Sequence, residues 1–92
     1  MIELDEHWAL SPAVALRPEP FGALAYHFGN RKLIFLKRPE LVAVVRGLGP
    51  GGDVRSALVA AGVAEASWPA YLAAMEGLAA SDMIRKAEKV AA

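Results

Sequence analysis

At 92 residues the chain has room for one small domain and no second. Ten acidic and ten basic side chains cancel, which removes any global pull toward nucleic acid or an anionic membrane, and 55% hydrophobic residues exclude a disordered chain. With no cysteine there are neither disulfides nor thiolate zinc sites, a composition that fits a cytoplasmic protein.

Met1–Ser11 lacks clear periodicity and reads as an N-terminal extension, with Trp8 and Leu10 available to fold back on a core. Its MIELDEHW start is acidic, unlike a signal peptide, and no apolar run approaches the ~20 residues that span a bilayer. Pro12–Arg17 predicts a short strand that Pro18 and Pro20 stop, because neither can donate to a ladder.

The stretch Gly22–Lys37 predicts a hairpin of two strands, Ala23–Phe28 and Lys32–Leu36, folded back at Gly29–Asn30. A two-residue turn there sets Tyr26 opposite Leu33, Ala25 opposite Ile34 and Leu24 opposite Phe35. Leu24, Tyr26, Phe28, Leu33 and Phe35 then share an aromatic-rich side, which is the expected core face, and Ala25, His27, Lys32, Ile34 and Leu36 share the other.

Pro39 and Glu40 open a first helix carrying Leu41, Val44, Val45 and Leu48 at helical spacing, which Gly49-Pro50-Gly51-Gly52 ends. Asp53 caps a second helix, and Gly62 supplies its left-handed stop. Ser67 caps a third helix running to about Ser81, with Tyr71, Leu72, Met75 and Leu78 together, and Arg85–Ala92 reads as a flexible tail. Strands first and helices after predict an α+β, winged-helix-like domain over residues 12–84: a three-stranded antiparallel sheet followed by three helices.

No catalytic, cofactor-binding or metal-binding constellation stands out. The glycine-rich turn at Gly49 follows a helix and lacks the lysine and hydroxyl of a phosphate loop. His7 and His27 have no converging ligands, and no serine has a histidine base at recognisable spacing. The second and third helices are spaced like a helix-turn-helix. Yet Ser56–Ile84 contains no lysine or arginine, so phosphate would repel the recognition helix of a winged-helix DNA binder.

What remains is the third predicted strand. It is apolar, free of acids and flanked by Arg31, Lys32, Lys37 and Arg38. Unpaired on its outer side, such a strand is a template for another chain, with the cations acting as guards against aggregation or as guides for an acidic partner. Self-pairing into a homodimer is the alternative use of the same edge.

Across residues 12–48 the run PAVALRPEPFGALAYHFGNRKLIFLKRPELVAVVRGL resembles the peptide-chaperone family of the mycofactocin system, one of the PqqD-like precursor-peptide recognition elements. LRPEPFGAL, YHFG and FLK carry the likeness most specifically; farther on it rests on the AAGV turn and the PAY and LAAS segments of the last helix. The resemblance implies a winged-helix-like fold without enzymatic activity. It implies that the leader of a ribosomally made precursor peptide adds as a strand to the third strand and packs on the third helix. It also implies presentation to a radical SAM maturase that modifies a C-terminal Val-Tyr. Carried to this chain, the strand side of the site is Arg31, Lys32, Leu33, Ile34, Phe35, Leu36 and Lys37, and the helical wall is Tyr71, Ala74, Met75 and Leu78.

Overall fold

A computed structural model of the protein describes residues 2–49 and 52–87. The fold is α+β, with two antiparallel sheets and three helices. Strands β2 (Val14–Glu19), β3 (Gly22–His27) and β4 (Leu33–Leu36) form one sheet in that order. Helices α1 (Pro39–Gly47), α2 (Val54–Ala60) and α3 (Trp68–Ala80) follow, the last entered through a 3-10 turn at Glu65–Ser67.

Both ends of the chain depart from expectation. β1 (Trp8–Leu10) pairs antiparallel with β5 (Ile84–Lys86) in a second sheet, so the order of elements ends on a strand and Arg85–Lys86 is not a frayed tail. Three residues on each side leave no periodicity to read. The pair is held by burial of Met83 and Ile84 and by Glu6. The Glu6 carboxylate accepts from the Glu3 amide at 2.9 Å and the Trp8 indole at 3.2 Å and pairs with Lys86 at 2.8 Å. The Ala87 amide donates to the His7 carbonyl at 2.7 Å, and residues 88–92 of the expected tail lie outside the described residues, as do Pro50 and Gly51 of the glycine-rich turn.

The hairpin register is the expected one: Tyr26 faces Leu33, Ala25 faces Ile34 and Leu24 faces Phe35. Its turn is different. The amides of Gly29 and Asn30 donate to His27 Nδ1 at 3.0 and 3.1 Å, and the left-handed residue is Arg31 (φ 61°) rather than either turn former. His27 is thus a loop-building acceptor. Asn30 Nδ2 donates to the Ser81 carbonyl at 3.1 Å, tying the hairpin tip to the end of α3.

The expected core face is inverted. Ala23, Ala25 and Leu36 are the buried residues of β3 and β4, with Ile34 packed beside them, whereas Phe28, Leu33 and Phe35 are exposed. Small alanines let α1 lie directly against β3, and Val44 and Val45 fill the space between. Hydrophobicity was present on both sides, and closeness of approach decided which one the helices cover.

Two further differences are local. Pro18 lies inside β2, opposite Ala23, not beyond its end. The Phe28 amide donates to the Ala13 carbonyl at 2.8 Å, and the alternation from there turns the Pro18 nitrogen to the outer side, where no ladder bond is lost. Ser67 makes no side-chain cap; the Trp68 indole instead donates to the Val63 carbonyl at 3.0 Å. Asp53 does cap α2, accepting from the Ser56 amide and hydroxyl at 2.8 Å each, and Gly62 takes the left-handed conformation at φ 75°.

Gly22 (φ 149°) sits where a Cβ would fall on the Leu36 carbonyl oxygen. Gly22→Ala should therefore destabilise the domain by about 2 kcal/mol or more, read as a lower urea midpoint. The Lys86 ammonium, the Glu3 amide and the Trp8 indole hold the Glu6 carboxyl at about 2, below its ordinary 4.5. A carboxyl depressed in the folded state contributes stability that is complete above its unfolded pKa and fades as pH falls through the folded one. The stability deficit of Glu6→Gln, followed by urea unfolding, should thus shrink between about pH 5 and pH 2.

Candidate functional site

The hydrogen-bonding sides of β4 follow from one bond. The His27 amide donates to the Lys32 carbonyl at 3.0 Å, so the alternation of an antiparallel ladder directs the backbone of Ile34 and Leu36 toward β3. Leu33, Phe35 and Lys37 then turn their N–H and C=O groups outward. No described strand pairs with that side. The opposite margin of the sheet is not equivalent. On β2 the Val14 amide is spent on the Ser11 carbonyl at 3.0 Å and Pro18 has no donor, so prolines blunt that edge while β4 keeps a full row.

The open edge faces a groove between β4 and α3. α1 packs against β1, β3 and β4, whereas the strand that α3 packs against most is β5. Two adjoining cavities occupy the gap. One, of about 310 Å³, lies among Phe35, Lys37, Arg38, Leu41, Tyr71 and Ala74. The other, of about 250 Å³, lies among Ile34, Leu36, Leu41, Ala74, Gly77 and Leu78. Ala70, Ala74 and Gly77 recur at i, i+4 and i+7 on α3, so its groove side is one of small residues that admit a backbone closely. The Asn30–Ser81 bond bridges the hairpin tip to the end of α3, at the end of the gap near Gly77.

Most of the predicted residues meet here. Phe35 and Lys37 stand at the edge, Ile34 and Leu36 form the floor with Leu78, and Tyr71 and Ala74 line the wall. The Tyr71 ring is buried, but its hydroxyl has no hydrogen-bond partner among the described residues and is not sealed off, so it keeps access to the groove. Arg31 and Lys32 are exposed at the hairpin end, and Leu33 is exposed on the far face of β4. Met75 is a correction: it is 0% exposed, one residue round the helix from the groove, and belongs to the core. Residues not anticipated are Leu41, Ala70 and Gly77. The small-residue spacing on α3 was a readable signal for the last two; Leu41 on α1 had already been assigned to helix packing.

Electrostatically the site is one-signed. From Phe21 through Arg38 there is no carboxylate, and Arg31, Lys32, Lys37 and Arg38 have no ion-pair partner among the described residues. α3 contributes no cation. Among the described residues no cluster of metal-ligating side chains exists, and no helix is long and apolar enough to cross a membrane. The arrangement can hold an extended, apolar segment with acidic neighbours; it offers no group placed to make or break a bond.

The chain matches the peptide chaperone MftB family over residues 7–85. The peptide chaperone MftB of Mycobacterium ulcerans (strain Agy99) is 55% identical over 80 residues, covering 87% of this chain and 73% of the relative. Those of Mycobacterium tuberculosis (strain ATCC 25618 / H37Rv) and Mycolicibacterium smegmatis (strain ATCC 700084 / mc(2)155) are 52% and 54% identical over the same length, covering 73% and 78% of the relatives. No solved structure matches.

Because Met75 is packed on all sides, Met75→Ala should cost about 2–5 kcal/mol of stability in urea unfolding. The residual folded protein should keep its groove, so ligand affinity measured well below the unfolding midpoint should change little.

Proposed function

Since this chain belongs to the peptide chaperone MftB family, whose members are chaperones rather than enzymes, we propose that it binds the leader of a ribosomally made precursor peptide as an added strand on β4 during mycofactocin biosynthesis. The bound peptide is then presented to a radical SAM maturase. The α+β scaffold serves in this reading as a winged-helix-like platform, with no nucleic acid, membrane or cofactor taking part. The observation that carries it is the unpaired outward side of β4 beside an apolar groove.

Main-chain bonds to Leu33, Phe35 and Lys37 supply affinity without regard to sequence, and the two cavities supply selection. In an added strand every second side chain enters the groove, and the cavity sizes suit aliphatic or single-ring side chains. Ordering a flexible leader costs several kcal/mol, which those apolar anchors must offset. Arg31 and Lys32 at one end and Lys37 and Arg38 at the other favour a segment with acids on both sides of its apolar centre. Their effect is chiefly on encounter, so association should slow as salt rises.

The test is a titration of the isotopically labelled chain with a synthetic leader peptide of its cognate precursor. Amides of residues 33–37 and of α3 should shift, and those of Leu33, Phe35 and Lys37 should gain protection from hydrogen exchange. Ala74→Trp, which places an indole in the groove from an exposed position, should fold normally and bind about tenfold or more weakly, near 1.4 kcal/mol. Leader binding that leaves the β4 amides unmoved would sink the reading.

A further inference from the structure

Five large apolar side chains are left exposed among the described residues, and four of them stand together on the outer face of the three-stranded sheet: Phe21 (43%), Phe28 (60%), Leu33 (56%) and Phe35 (57%). The rings are arranged in pairs. Phe21 and Phe35 lie 5.7 Å apart, and Tyr26 and Phe28 meet edge-on at 5.2 Å. Half-buried Leu24 lies opposite Phe35, within the same face. A contiguous apolar surface of this kind, not covered by any helix, marks a place where another molecule packs.

Its border is cationic. Lys37 adjoins Phe21 and Phe35, Arg17 lies opposite Leu24 on β2, and Arg31 follows Phe28 in the hairpin loop. The one carboxylate on these strands, Glu19, pairs with Arg17 at 3.5 Å, which leaves Lys37 and Arg31 as the uncompensated cations of the border. A second copy of the chain would bring the same cations against each other. The face is three strands wide, and its margin away from β4 is the β2 edge, blunted at Val14 and Pro18 and so poor in backbone for an extended peptide. Side-chain packing over that width suits the helix or sheet of a folded protein.

We propose that the outer sheet face docks a folded protein whose contact patch is apolar at its centre and carboxylate-rich at its rim, and that this partner is the maturase, an identity that rests on the reading above. Phe35 borders both the groove and this face, so the two sites adjoin. A leader strand on β4 would set alternate side chains beside Leu33 and Phe35 and widen the docking face. The partner would then touch chaperone and leader at once, which places the reacting protein against the tethered peptide.

The experiment measures binding of the purified maturase to the full chain, first without leader and then with it. Phe28→Ser, at a site remote from the groove, should weaken maturase binding about tenfold or more and leave leader affinity within about twofold. Arg17→Glu, on the polar border, should weaken maturase binding and flatten its salt dependence, and serves should Phe28→Ser fold poorly. Leader should tighten maturase binding to the unaltered chain. The proposal is overturned if both variants bind maturase normally or if the maturase does not bind at all. It is equally overturned if Phe28→Ser abolishes instead self-association in sedimentation, or attachment to anionic phospholipid vesicles. Because the first arm contains no leader, a failure of β4 to bind leader leaves this result readable by itself.

Discussion

An antiparallel sheet of three strands has two margins, and in this fold the chain treats them oppositely. The β2 margin is blunted by Pro18 and by the local bond of Val14, whereas the β4 margin keeps three outward donors and acceptors. No described strand closes it, and the strand that α3 packs against most is β5. The short β1–β5 ribbon thus has a consequence out of proportion to its length: it supplies the strand against which α3 packs. Glu6, bonded to Glu3, Trp8 and Lys86, is the polar fastening of that ribbon.

The second constraint is where the small residues go. Ala23 and Ala25 on the inner face of β3 allow α1 to close on the sheet, and Ala70, Ala74 and Gly77 on α3 allow something else to close on β4. The aromatic residues of the hairpin, which a core would ordinarily claim, are turned out. Their burial was forgone in the isolated fold, where each exposed phenylalanine represents on the order of 2 kcal/mol of unused transfer energy. That energy remains available to association, which is why a domain so small can carry a large apolar face outside and still be held together by Val44, Val45, Leu58, Met75 and Met83 within.

Much of this was legible in the chain itself. The position of the turn marked the hairpin register, although its bonding differs, and Asp53 and Gly62 marked the ends of α2. What misled was reading hydrophobicity as burial. On β3 and β4 both faces are apolar, and no periodicity says which one the helices cover; alanine, the weaker hydrophobe, won because it permits close approach. Met75 was placed in the groove wall by the same habit, its helical position adjoining Ala74 but rotated into the core. β5 was missed because three residues pairing with a segment over seventy positions away leave no local trace.

Charge decides how the open edge is used. If two copies paired their β4 strands about a two-fold axis, antiparallel alignment would carry Arg31 and Lys32 of one strand to Lys37 and Arg38 of the other, at both ends of a four-residue ladder. Like charges directly across a ladder oppose pairing, and here no carboxylate between Phe21 and Arg38 relieves them. An acidic, extended segment meets the same edge with attraction at both ends. The zero net charge of the whole chain conceals this, since four of its ten cations flank β4 and none of its acids falls between residues 21 and 38. The same four side chains that oppose self-pairing of the edge would attract an acidic strand, which is what the proposed binding of a leader calls for.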